Sequence, residues 1–394
     1  MKIMTKIMKN AVIVAYGRSA IGRSKKGSLA NIHPVTFGAQ VLKGVLAKVP
    51  ELDPKEIDDL IVGCAKPEEM QGKNMARIIA QAANLPDEVS GQTVNRFCAS
   101  GLQAVAAGAS VIMTGQAKVI VAGGVESMSM LPMVDNPGIK EPNLVKNNPE
   151  VYMPMGITAE NVAAKYQITR EEQDEFGYRS QMLAAKAQEN AGFLKEIIPI
   201  EYTDDNDKTQ IFDSDECIRP SSNLEQMGQL RTVFYEENGT VTAGNASSTA
   251  DGAAFIVLMC EEKARELGIT PIAKYLGYTV AGVDPAYMGT GPIYAIPQLM
   301  QQLDMSVDEF DIIELNEAFA AQVIPCIREL GLDEEKVNPR GGAIALGHPL
   351  GATGAILLSK ALHYLEDIGG GKALIAMCIG GGMGAAGAFE LLNN

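Results

Sequence analysis

The apolar residues of the chain fall mostly in short, β-branched runs. Ala11-Val-Ile-Val-Ala15, Val119-Ile-Val-Ala122 and Ala373-Leu-Ile-Ala376 show no polar alternation. Strands covered by helices on both faces look like this. Between the runs, apolar residues recur at helical spacing over 38–48, 102–113, 295–303 and 355–364. Strands alternating with helices predict a layered α/β fold.

The pattern occurs twice. A helix over 38–48 leads into Glu51-Leu-Asp-Pro-Lys-Glu-Ile-Asp-Asp-Leu-Ile-Val-Gly63. A helix over 295–303 leads into Asp304-Met-Ser-Val-Asp-Glu-Phe-Asp-Ile-Ile-Glu-Leu-Asn316, the same polar turn and apolar run. Gln92-Thr-Val-Asn95 then precedes a helix and a glycine-terminated strand, as does Lys336-Val-Asn338. On this reading Gly123-Gly124 and the glycines after Cys378 are matching turns. The two halves are expected at 1–270 and 271–394. Between them the texture changes over about 127–244, which reads as an inserted loop domain. Residues 135–149 are rich in Pro and Asn and predict a loop. Polar helices are expected over 158–166 and 170–192, with Thr169 and Glu172 as a capping box at the second start.

Composition narrows the function. An apolar share of 46% over 394 residues excludes general disorder and allows more than one packed unit. With 33 basic and 48 acidic residues the net charge is −15, which argues against a nucleic-acid binder. No run approaches the ~18 apolar residues of a membrane span. The first residues carry Lys2, Lys6 and Lys9 without an apolar stretch, so no signal peptide is expected. The six cysteines form no C-x-x-C pair, and reduced thiols in a cytoplasmic protein are the expectation. No metal-ligand spacing occurs, so no metal site is expected.

Two nucleotide-binding patterns are weak. Gly382-Met-Gly-Ala-Ala-Gly387 lacks a following βαβ unit, and Gly17-Arg-Ser-Ala-Ile-Gly-Arg23 has Arg where a phosphate loop needs Lys. Cys98 is more informative. It sits where a strand turns into a helix, and backbone N–H groups there favour a thiolate. The plain alternative is an inert buried cysteine. His348 is one of three histidines and lies in a loop of glycines, Gly341-Gly-Ala-Ile-Ala-Leu-Gly-His348-Pro-Leu-Gly351. His363 reads as a core or surface residue and His33 as a loop or cap residue. Cys378 ends a strand ahead of Gly380-Gly-Gly382. Asn316 follows another strand and reads either as a helix N-cap or as a holder of water or an oxyanion. Thiols, an imidazole and polar donors in such turns suit acyl transfer.

These residues resemble the motifs of the thiolase family. Val94-Asn-Arg-Phe-Cys98-Ala-Ser-Gly-Leu102 is similar to its nucleophile motif and Asn316-Glu-Ala-Phe-Ala320 to its NEAF motif. Gly347-His348-Pro349 is similar to its GHP motif and Cys378-Ile-Gly-Gly-Gly382 to its second-cysteine motif. The resemblance implies a duplicated α-β-α-β-α core with an inserted loop domain. It implies that Cys98 is acylated by a 3-ketoacyl-CoA, that His348 activates Cys98, and that Cys378 moves the α-carbon proton. A water on Asn316, with His348, would form one oxyanion hole, and the N–H groups of Cys98 and Gly380 the other. Coenzyme A is implied as a substrate, with no permanently bound cofactor. Its contacts would come from Ser247 and Ala243 in Thr242-Ala-Gly-Asn-Ala-Ser247, and from Arg219 at the nucleotide end. Met288 and Phe319 would line the acyl pocket. Because coenzyme A is anionic, the net charge of −15 calls for a local basic patch.

Within the family, Met153-Pro-Met-Gly156, a short 131–154 segment and Arg96-Phe97 beside Cys98 are similar to degradative 3-ketoacyl-CoA thiolases. That implies fatty-acid β-oxidation, a homodimer and partner enzymes of that pathway. The alternatives are a biosynthetic acetoacetyl-CoA thiolase, which would permit a tetramer, and a catalytically silent protein that binds acyl-CoA or lipid.

Overall fold

The computed structural model describes residues 8–132, 139–204 and 206–392. Its centre is a mixed sheet that reads as two copies of one motif. In the first half, β1 (Ala11–Arg18), β3 (Asp59–Gly63), β5 (Val119–Ser127) and β8 (Ala250–Cys260) lie in the order β3-β5-β8-β1. The pairings run parallel, antiparallel, antiparallel. In the second half, β9 (Ala273–Gly282), β10 (Ile312–Leu315), β11 (Gly371–Ile379) and β12 (Met383–Leu391) lie in the order β10-β11-β12-β9, with the same sequence of pairings. A short antiparallel contact, Val12 with Lys274 and Ile13 with Ala273, joins the halves into one sheet.

The repeat extends to the sheet edges. Strand β4 (Ser90–Val94) runs parallel to β3, and at the equivalent place Val337 makes a single parallel bridge to Ile313 of β10. The expected match of Gln92-Thr-Val-Asn95 with Lys336-Val-Asn338 is therefore a match of edge positions. Strand β2 (Gly22–Arg23) pairs with β8, and β6 (Ile200–Thr203) with β7 (Thr209–Phe212) forms a separate ribbon.

The strand residues alternate between two different apolar cores, which is why the sequence shows no polar alternation. Val119, Val121, Leu60 and Val62 pack with α1 (Pro34–Leu46) and α2 (Met75–Ala82). Their neighbours Ile120, Ala122 and Ile61 pack with α3 (Ser100–Met113) and α12 (Leu350–Ile368). The same central core takes Ile312, Ile375 and Met377 from the second half. On that half's other face, Ile313, Leu374 and Ala376 meet α9 (Gly291–Leu303) and α10 (Ala320–Leu330). The order is thus α-β-α-β-α. Each fully buried Ile, Leu or Val contributes about 1.5–3 kcal/mol. The middle layer, α3 against α12, draws on both halves, and the site lies at the N-terminal ends of these two helices.

The connection from β5 to β8 is long and carries α4 (Pro142–Asn147), α5 (Met155–Tyr166), α6 (Arg170–Glu189) and α7 (Leu224–Gly228). The connection from β11 to β12 is only Gly380-Gly-Gly382. The remaining helices are α8 (Glu261–Leu267) after β8 and α11 (Ala343–Leu346) before His348. The Thr169–Glu172 capping box is present at the start of α6. Arg18, fully buried, ties the insertion to β1 through Glu196 at 2.7 Å and Asp215 at 2.8 and 2.9 Å. Removing one partner of such a buried pair costs about 3–5 kcal/mol.

Several local expectations need correction. Gly123 and Gly124 lie inside β5 rather than in a turn after it. They are glycines because Cβ atoms there would lie 2.0 Å from Ala254 O and 2.1 Å from Gly351 O. The 135–149 loop holds the helix α4, one of whose otherwise unpaired first N–H groups, Leu144 N, donates to the Glu141 carboxylate; residues 135–138 lie outside the described residues. Helix α6 stops at Glu189, three residues before the expected end. The Gly17–Arg23 pattern is as weak as expected and needs none: Gly17 sits within β1, and a turn rather than a helix comes directly after Arg23. His33, read as a loop or cap residue, is indeed the N-cap of α1, its Nδ1 accepting from Val35 N at 3.2 Å.

Candidate active site

The turn that carries Cys98 follows edge strand β4. Asn95 Oδ1 accepts from Phe97 N at 2.8 Å, and Ser100 Oγ accepts from Arg96 N at 2.9 Å while donating to Phe97 O at 2.6 Å. These bonds hold Phe97 at φ +44°, a strained value for a bulky residue. Cys98 comes next, in a 3-10 turn that runs directly into α3. Its Sγ receives N–H groups from Gly380 and from its own backbone. The sequence pointed to a thiolate favoured by the helix start. Those N–H groups do pull the thiol down, but burial is the larger effect and pushes it up to about 11. At neutral pH the resting group is a thiol, so a nucleophilic role would call for a base.

His348 is the candidate for that base. Gly347, at φ +100°, turns the chain where a Cβ would come within 2.8 Å of Ala250 Cβ. His348 then runs beside Thr249, its N–H donating to Ser248 O at 2.9 Å. The imidazole is 4% exposed. Its Nδ1 lies 2.6 Å from Thr353 Oγ1, and its Nε2 lies 3.4 Å from Asn316 Nδ2. Facing an amide nitrogen, Nε2 is the acceptor, so the ring proton sits on Nδ1 and is given to Thr353. Burial lowers the His348 pKa to about 4, which keeps the ring neutral.

A pH dependence follows. An unfolded imidazole takes its proton near ~6.5, the buried one near 4. Between these values the unfolded chain binds more protons, so stability is lost as pH falls through this window. With His348 as base, the acid limb of kcat/KM set by this residue is expected near pH 4. A titration series of kcat/KM checks it; a limb at the ordinary imidazole value would contradict the assignment.

Cys378 is the penultimate residue of β11 and is 1% exposed. Burial, with Cys98 and Cys326 nearby, holds its thiol well above the ordinary range. It packs with Met288 and Ala318, and Met155 and Phe319 close the same small cluster. Asn316 follows β10 and is fully buried. It is no helix cap, because α10 starts at Ala320 with Phe319 at its cap position. Its Oδ1 finds no protein hydrogen-bond partner among the described residues, an acceptor that a water can satisfy. Next to it, Glu317 accepts from Ser180 Oγ at 2.6 Å, Asn338 Nδ2 at 2.8 Å and Ile344 N at 3.2 Å, fixing this turn to the His348 loop.

The residues expected to contact coenzyme A fall into two groups. Met288 and Phe319 stand at Cys378. Ser247 lies on a segment threaded between the Asn316 and His348 turns: Ser247 N donates to Ala318 O at 3.0 Å, and Ala246 bridges Phe319. Arg219 is half-buried and reaches exposed Ala243, Nη1 to O at 3.5 Å, at the outer end of that segment. Among the described residues no group of three or more His, Cys, Asp or Glu side chains could hold a metal ion. None of the described helices is long and apolar enough to cross a membrane. Sequence reasoning missed Thr353, five residues after His348, and Met155, whose sulfur lies 3.2 Å from where a Gly380 Cβ would be.

Comparison with known proteins agrees with this geometry. Residues 11–262 match the thiolase N-terminal domain and 269–391 the thiolase C-terminal domain. A 3-ketoacyl-CoA thiolase of Bacillus subtilis is 48% identical, covering 98% of this chain and 100% of its own length. Among solved structures, the Bacillus anthracis acetyl-CoA acetyltransferase superposes with TM-score 0.91 at 41% identity, covering 98% of this chain and 100% of that one. The dimeric peroxisomal thiolase of Saccharomyces cerevisiae gives 0.92 at 38% identity, covering 99% of both. The chain belongs to the thiolase family.

Proposed function

We propose that the protein cleaves 3-ketoacyl-CoA with coenzyme A, giving acetyl-CoA and a shortened acyl-CoA, through an acyl group on Cys98. The observation that carries this reading is that Cys98 Sγ receives the Gly380 N–H beside Cys378, with a neutral His348 held at Asn316, on the turn whose Ala318 packs on Cys378.

The chemistry balances as follows. His348 Nε2 takes the Cys98 proton, and the thiolate attacks the keto carbon. The N–H groups of Cys98 and Gly380 hold the oxyanion. When the bond between the α- and keto carbons breaks, its electron pair goes to the acetyl-CoA enolate. A water donating to Asn316 Oδ1, with the His348 imidazolium, faces the enolate oxygen. Cys378 gives its proton to the α-carbon and becomes a thiolate. Incoming coenzyme A returns a proton to Cys378 and attacks the thioester, while His348 returns its proton to Cys98. Two half-reactions sharing one acyl-enzyme give ping-pong kinetics.

Arg219, Ala243 and Ser247 would hold coenzyme A as a substrate, no resident cofactor being required, and Met288 and Phe319 would border the acyl chain. Similarity to a B. subtilis 3-ketoacyl-CoA thiolase supports a degradative role in cytoplasmic fatty-acid β-oxidation. Similarity to a B. anthracis acetyl-CoA acetyltransferase supports the biosynthetic alternative. A kcat/KM series over C4 to C16 3-ketoacyl-CoAs separates them: activity is expected across the range, and strict preference for C4 would overturn the degradative reading. The halves divide at 270/271 in this reading, with the loop domain at about 127–244. Similarity to a dimeric yeast thiolase, and the open outer edge of β4, support a homodimer; light scattering on the same preparation would reveal a tetramer.

A further inference from the structure

Glu126, near the end of β5, has no part in the chemistry above, yet it is a carboxylate 1% exposed. Every donor that the structure gives it is neutral. Oε2 accepts from Ala65 N at 2.7 Å and Gly351 N at 2.9 Å. Oε1 accepts from Gln71 Nε2 at 2.8 Å, with Cys64 Sγ at 3.7 Å.

Each of the two Oε2 bonds leads to one side of the site. Gly351 is in the first turn of α12, whose cap position, Pro349, offers no side-chain cap. Glu126 supplies that cap from another strand, where a negative charge also suits the helix dipole. The same turn carries Thr353, which holds His348 Nδ1 at 2.6 Å. On the other side, Ala65 O accepts from Asn95 Nδ2 at 3.1 Å, and Asn95 Oδ1 accepts from Phe97 N at 2.8 Å. That is the turn presenting Cys98. The contact is close-built: a Cβ on Gly351 would lie 2.7 Å from Ala65 N, Cys64 Cα and Glu126 Oε2.

We propose that Glu126 is a positioning residue, the common anchor that sets the His348 turn against the Cys98 turn across the two halves of the chain. The inference rests on the proposed acyl transfer. An error of about 1 Å in such a pair can lower the rate about 100-fold. Electrostatics alone would act in the opposite sense: burial is what chiefly holds the Cys98 thiol up, and the Glu126 charge adds a smaller push the same way. Removing only that charge would make Cys98 more reactive.

The test is Glu126→Gln, which keeps the shape but places an amide donor against either the two N–H groups or Gln71 Nε2. Folded Glu126→Gln, confirmed by circular dichroism and active-site titration, is expected to lose about 10–100-fold in kcat per titrated site, with KM within about threefold. Combined with Thr353→Val, which acts on the same turn, the losses should multiply to less than the product. A kcat per site within threefold of the parent, a loss residing mainly in KM, or a fully multiplicative double variant would each overturn the proposal. If Glu126→Gln does not fold, Glu126→Asp is judged by the same criteria; failure of both to fold would make the carboxylate a structural strut and end the proposal. If the parent protein cleaves no 3-ketoacyl-CoA, the functional reading fails instead. Iodoacetamide alkylation of Cys98, which needs no substrate, then decides: slowing of about tenfold in Glu126→Gln supports the anchor, and an unchanged or faster rate overturns it.

Discussion

Cys98→Ala is expected to fold and assemble as the parent does and to lose turnover by about 10⁴-fold or more, the scale on which removing an enzyme's nucleophile acts. The fold should survive because only a sulfur is removed and Cys98 stands at the edge of the core, 9% exposed. The chemistry should not survive. The neighbouring thiol Cys378 sits deeper, at 1% exposure and, chiefly through burial, well above the ordinary thiol range. It cannot replace Cys98 at the start of α3. Steady-state thiolysis of acetoacetyl-CoA, with circular dichroism as the control, checks this. Turnover near the parent rate in Cys98→Ala would remove the acyl-enzyme from the mechanism.

The second large effect is expected at Cys378, and it should divide the reaction. Cys378→Ser leaves the Cys98 turn, Gly380 and His348 in place. Transfer of an acetyl group from acetyl-CoA to Cys98 needs no proton at the α-carbon, and coenzyme A can depart as a thiolate without the Cys378 proton, so acylation should persist within about tenfold of the parent rate. Condensation and thiolysis both need that proton. They should fall by about 10²–10⁴-fold, the usual contribution of a positioned acid or base, since a serine hydroxyl is a much weaker acid than a thiol. Rapid-mix acylation and steady-state condensation on one preparation separate the two. A normal condensation rate in Cys378→Ser would exclude this role.

The catalytic candidates were legible in the sequence because their chemistry depends on residue type and immediate setting. A cysteine at a strand-to-helix turn, a histidine between glycines and a cysteine ending a buried strand are local patterns. The duplication was legible for the same reason, down to the edge position that β4 fills and that Val337 marks with one bridge. What could not be read is what arises from packing. The local pattern at Cys98 favours a thiolate, but desolvation is a sum over the surrounding protein and wins. Asn316 resembles a helix cap until β10 and the His348 loop converge on it. Gly123 and Gly124 resemble a turn, yet α12 and β8 press against their backbone. Glu126 lies 225 residues from Gly351, so no window along the chain could connect them.

The most direct measurement is the mass of the peptide containing Cys98 after brief mixing of the protein with acetoacetyl-CoA in the absence of free coenzyme A. The account predicts one acetyl group on Cys98, about one equivalent of acetyl-CoA released per active site, and loss of the label when coenzyme A is added. No covalent acetyl group, or one carried by Cys378 with Cys98 unmodified, would contradict it.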